Sequence, residues 1–168
     1  STQQQNHQMR TENRKKVKTL ILGLGNLILG DDGVGIRIAQ KIKQTNPDLE
    51  VIETSEAGIV LLDLIIGYER LIIIDSIKTG RGRPGELYKL QLADLKPNMD
   101  FSSSHAIDVA TALKLGQMLG NRMPSSVTIY AVEIKDNTTF GEECTPEVED
   151  RIPAIASQII RQEKLNRK

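Results

Sequence analysis

Leu71-Ile72-Ile73-Ile74-Asp75-Ser76 sets four large apolar residues, three of them β-branched, directly before a carboxylate and a hydroxyl. An apolar run without polar alternation marks a strand buried on both faces, as in parallel sheets covered by helices. Working outward, VKTLIL (17–22) is a similar short run that stops at Gly23, and LEVIETS (49–55) and SVTIYAV (126–132) read as further strands. Helical spacing falls between them. Val34, Ile38 and Ile42 place a helix over about 34–43, and 59–66 reads as another. Ser102, Ser103 and Ser104 offer N-caps for a helix over about 105–119. ELYKLQL (86–92) alternates after Pro84-Gly85 and is expected toward an edge of the sheet. Thr145-Pro146-Glu147 has the order N-cap, N1 proline, first-turn acid, and should open a last helix carrying Val148, Ile152, Ile155 and Ile159. Pro153 inside that helix is expected to kink it.

Strands alternating with helices imply a single α/β domain: a twisted, mainly parallel five-stranded sheet with helices on both faces, phosphorylase/hydrolase-like. The domain is expected over 17–162. Residues 1–16 are Gln/Asn/Lys/Arg-rich and read as a flexible polar tail, and 163–168 as a second polar tail. Basic and acidic residues number 22 each, so the net charge of zero provides no electrostatic footprint for nucleic acid or an anionic membrane. A single cysteine, Cys144, excludes an intrachain disulfide framework and any Cys-rich metal site. No apolar run approaches the ~20 residues of a membrane span, and residues 1–16 lack the apolar core of a signal peptide. Cytoplasm is the expected compartment.

Ligands of open α/β sheets bind beyond the carboxyl ends of the strands, which selects the polar residues to weigh. GLGNLILGDDGVG (23–35) follows the first strand and opens the first helix. A dinucleotide loop of the form GxGxxG would need glycine at Ile28, and Asp31-Asp32 would put negative charge where a phosphate meets a helix N-terminus. No Gly-Lys-Ser/Thr follows, so a P-loop is excluded as well. The turn presents carboxylates. One Asp can cap the helix while its neighbour points into a cleft. Asp75 ends the central strand at its functional edge; the plainer role for it is bonding the Thr79–Pro84 turn. His105 stands in the first turn of its helix, where the macrodipole favours the neutral imidazole that metal coordination requires; the plainer role is a surface or capping residue. Asp32, Asp75 and His105 together would form an O,O,N set suited to a borderline ion such as nickel or zinc, with coordination positions left open. Glu142, Glu143 and Glu147 should disfavour a Cys144 thiolate, no G-x-S-x-G elbow occurs, and Ser104 is sequence-adjacent to His105. Covalent catalysis is therefore not expected.

GLGNLILGDDGVG, IIIDSIKTGRGRPGEL, SSSHAIDVATAL and TPEVEDRIPAI, in that order over about 17–160, resemble the hydrogenase maturation endopeptidases. The resemblance implies an endopeptidase that removes the C-terminal extension from the nickel-loaded precursor of a [NiFe]-hydrogenase large subunit. It implies that Asp32, Asp75 and His105 are both the metal-contacting and the catalytic residues. Nickel is expected to arrive within the substrate, with zinc or cadmium able to substitute in vitro. Where many relatives carry an Asp-Gly-Gly-Thr-like segment, this chain reads Thr54-Ser55-Glu56-Ala57-Gly58, which leaves the hydrogenase subgroup open. Two other readings stand beside this one: a non-proteolytic binding or escort module for the loaded precursor, and a nucleotide-handling α/β enzyme, which Ile28 and the Asp pair oppose.

Overall fold

A computed structural model describes residues 17–96 and 105–165. Five strands form one sheet: β1 (Thr19–Leu24), β2 (Val51–Thr54), β3 (Arg70–Ile77), β4 (Leu87–Gln91) and β5 (Ser126–Glu133). Their spatial order is β2-β1-β3-β5-β4, parallel throughout except for β4, which runs antiparallel along β5 at one edge. The helices are α1 (Val34–Thr45), α2 (Val60–Ile65), α3 (His105–Met118), α4 (Pro146–Glu149) and α5 (Ile152–Gln162), with a 3-10 turn at Gly30–Gly33 and another at Leu92–Asp94.

The apolar run of 71–74 lies in the central strand because both its faces are covered. Ile72 and Ile74 pack into one cluster with Val34, Ile38 and Ile42 of α1 and Ile155 and Ile159 of α5. Leu71 and Ile73 pack into the opposite cluster with Leu61 and Ile65 of α2 and Val109 and Leu113 of α3. The same pleat assigns the two polar residues at the strand end: Asp75 continues the α2/α3 face, and Ser76 continues the α1 face. A single strand end therefore serves both sides of the sheet.

Three expectations change. The last helix is two helices: α4 stops at Glu149, and Pro153 lies in the first turn of α5, where no N–H is required of it. Thr145 precedes α4 but makes no side-chain cap; its hydroxyl is bound to Asp31 instead. Residues 163–165 do not belong to the polar tail expected from residue 163. Glu163 is buried with Arg70, Lys89 and Tyr130 around its carboxylate, and Leu165 joins the core. The Ser102–Ser104 caps and the tail at 1–16 lie outside the described residues.

Candidate active site

The Gly-rich segment is shaped by packing against its own protein. A Cβ on Gly25, which sits at φ +148, would collide with the Asp32 carbonyl oxygen. A Cβ on Gly35 would strike the Ile74 carbonyl oxygen and lie 2.6 Å from that of Leu24, so this glycine lets α1 lie directly on β1 and β3. The glycines are explained without a phosphate.

The turn sends its two carboxylates to different places, and neither caps a helix. Asp31 is fully buried and accepts the N–H groups of Lys135 at 3.0 Å, Asp136 at 2.9 Å and Thr145 at 2.6 Å, together with the Thr145 hydroxyl. It clamps the chain after β5 to the chain after β1. Asp32, 4% exposed, accepts the Asn26 N–H at 3.0 Å on Oδ2 and the Ser76 hydroxyl at 3.1 Å on Oδ1. Its partners tie it to the end of β3.

Asp75 is fully buried. Its Oδ1 accepts the N–H of Ser76 at 2.8 Å, while Oδ2 meets no hydrogen-bond donor among the described residues. Burial drives its pKa well above the ordinary carboxylate range, against the pull of the Ser76 N–H; the Asp32 charge pushes further upward, and the Ala106 N–H opposes it. Ser76 thus joins the two acids, bonding Asp75 through its N–H and Asp32 through its hydroxyl. The influence of the Ala106 N–H places the start of α3, and with it the buried His105, beside the same strand end. Asp32, Asp75 and His105 therefore share one edge of the sheet. Among the described residues, no three or more His, Cys, Asp or Glu side chains are arranged to hold a metal ion unaided.

The Thr79–Pro84 turn is organised by Glu133, not by Asp75. Glu133 is buried at the end of β5 and accepts the N–H groups of Thr79 and Gly82, the Thr79 hydroxyl and the Tyr88 hydroxyl. Burial alone would raise its pKa, but these donors outweigh it and hold the pKa low. Sequence reasoning overlooked Glu133 and Ser76. Glu133 carried a usable signal, since an acid closing SVTIYAV stands as Asp75 does after LIII. Cys144 is buried, and its thiol is pushed up to about 11, first by burial and then by Asp31 and Glu149. The expectation of a protonated thiol holds; Glu142, Glu143 and Glu147 are not its cause. A cavity of about 460 Å³ lies at the opposite, amino end of the strands, lined by Thr19, Asn46, Leu49 and Arg70 among others, and includes none of the candidate residues.

A family model described as hydrogenase maturation protease matches residues 36–162. The hydrogenase 2 maturation protease of Escherichia coli (strain K12) is 28% identical over 148 residues, covering 86% of this chain and 89% of the relative. The solved hydrogenase maturating endopeptidase HybD from E. coli superposes with a TM-score of 0.72 at 27% identity, covering 88% of this chain and 93% of that one. The [NiFe] hydrogenase maturation protease HybD from Thermococcus kodakarensis gives 0.70 at 25% identity, covering 89% and 99%.

Proposed function

Since this chain belongs to the hydrogenase maturation protease family and is an endopeptidase of that kind, we propose that it cleaves the C-terminal extension from the nickel-loaded precursor of a [NiFe]-hydrogenase large subunit. Asp32, Asp75 and His105 read the nickel that this substrate carries. The observation carrying the reading is the buried Asp75 carboxylate, which has one oxygen without a donor and lies next to a second buried acid.

Two neighbouring carboxylates out of water repel each other, and an unpaired buried charge is costly. A cation brought to the strand end compensates both effects and favours ionised Asp75. Donors already hold Asp32 in place, and Asp75 offers its free Oδ2, so the site responds to a charge that the precursor supplies with most of its own ligands. The His105 imidazole would add the nitrogen ligand. An acid not engaged by the ion would take the proton from a water attacking the scissile carbonyl, and the ion would polarise that carbonyl. Zinc or cadmium in the precursor would fill the same role in vitro.

Incubating the protein with nickel-loaded and nickel-free precursor and weighing the intact products tests this. Shortening of the loaded form alone is expected. Equal shortening of both forms removes nickel reading, and a stable complex without a shortened product turns the protein into an escort. His105→Ala is expected to abolish processing with the thermal melt unchanged; full cleavage by that variant takes His105 out of the mechanism.

A further inference from the structure

Ile28, after β1, is 52% exposed, and Phe140, after β5, is 80% exposed. An isolated parallel bridge between Leu29 and Gly141 brings their two loops together. The Gly141 N–H donates to the Ile28 carbonyl at 2.9 Å, and the Gly30 N–H donates to the Gly141 carbonyl at 3.2 Å. Behind the bridge, Asp31 binds the N–H groups of Lys135, Asp136 and Thr145, so both loops are held from below as well. Exposed apolar residues scattered singly are ordinary. These two are presented next to each other on clamped backbone, at the end of the sheet that carries Asp32 and Asp75. A rigid apolar anchor loses little conformational freedom when a partner covers it.

Position argues for the occupant. The turn that presents Asp32 begins at Gly30, one residue beyond the bridge, so the apolar pair stands beside the turn that would meet the scissile bond. Exposed Glu142 and Glu143 lie just beyond Phe140 and border the apolar pair with negative charge. Such a patch suits an apolar surface bordered by Lys or Arg. We infer that Ile28 and Phe140 form a docking patch for the folded body of the precursor, separate from the site that reads its metal. This rests on the proposed processing function.

The test is steady-state processing of full-length loaded precursor by Ile28→Ser/Phe140→Ser, with Met118→Ser as control, an apolar residue as exposed as Phe140 at the far end of α3. The double variant should raise KM about tenfold with kcat within about twofold, as for a lost interface anchor. The control should match the unaltered protein. Glu142→Lys/Glu143→Lys, which leaves the apolar pair in place, should raise KM in the same sense and reduce its salt dependence. An unchanged KM in both double variants, while the unaltered protein still processes precursor, overturns the docking patch and leaves the function standing. Sedimentation showing that the unaltered chain self-associates through these residues, with KM unaffected by their loss, also overturns it by making the patch a contact between copies. Failure of the unaltered protein to process loaded precursor sinks the function itself, and the patch with it.

Discussion

Asp31 and Asp32 are consecutive, buried and chemically identical, yet they serve different ends. Asp31 spends its oxygens on four donors from the chain after β5. Asp31→Ala strands three backbone N–H groups and should cost about 3 kcal/mol or more in urea unfolding. Asp32→Ala strands the Asn26 N–H and the Ser76 hydroxyl, so its stability loss should be smaller, nearer ~2 kcal/mol, while processing disappears. A larger destabilisation for Asp32→Ala than for Asp31→Ala would contradict this division. Asp75→Asn should separate the two properties further. Its carboxylate lacks a donor on Oδ2, so removing the charge should leave stability at neutral pH unchanged or raised by about 1–3 kcal/mol, with activity lost. Paired urea and precursor-cleavage measurements decide it.

At the scale of elements, the strands and α1 were legible because their periodicity is local. Val34, Ile38 and Ile42 recur as helix spacing requires, and all three are buried. The break between α4 and α5 was only half legible. Pro153 signalled a disturbance, and its ring conflicts with a helical carbonyl four residues earlier, at Glu149, where α4 ends. The outcome is two helices instead of one kinked helix. Gly35 shows how an element places the site. Because α1 rests on the backbone of Leu24 and Ile74 through this residue, Gly35→Ala should lift the helix start, costing about 1–3 kcal/mol and lowering turnover by displacing Asp32. Unaltered turnover in that variant would mean that the turn adjusts independently of the helix.

For the whole molecule, two buried acids lock opposite ends of the sheet. Glu163 holds Arg70, Lys89 and Tyr130 near the amino ends, and Glu133 holds the Thr79–Gly82 loop near the carboxyl ends. Burial tends to raise both pKa values, but the surrounding donors and, at Glu163, the cations bring them below the ordinary 4.5. A lowered folded-state pKa gives stability that is complete above the unfolded value and lost as pH falls through the folded one. The stability carried by Glu133 and Glu163, read as urea midpoints, should therefore be level above about pH 5.5 and fall below about 4.5, where unfolded-chain glutamates begin to take up protons. The raised pKa of Asp75 works in the opposite sense and lowers stability as pH rises. Glu163→Gln should lower the midpoint at neutral pH and flatten part of that acid slope; an undiminished slope would assign it to other groups. No helix among the described residues is long and apolar enough to cross a membrane.

Residue order alone determined the parallel α/β architecture and the place of Asp75 near the carboxyl end of its central strand. Strand burial, helix spacing and strand termini are read within a few residues of themselves. Tertiary structure decided which of Asp31 and Asp32 builds the framework, gave the Thr79 loop to Glu133, and linked Asp32 to Asp75 through Ser76. Those assignments depend on hydrogen-bond partners tens of residues away in the chain. No local pattern encodes such a partner, and burial makes each missing one costly.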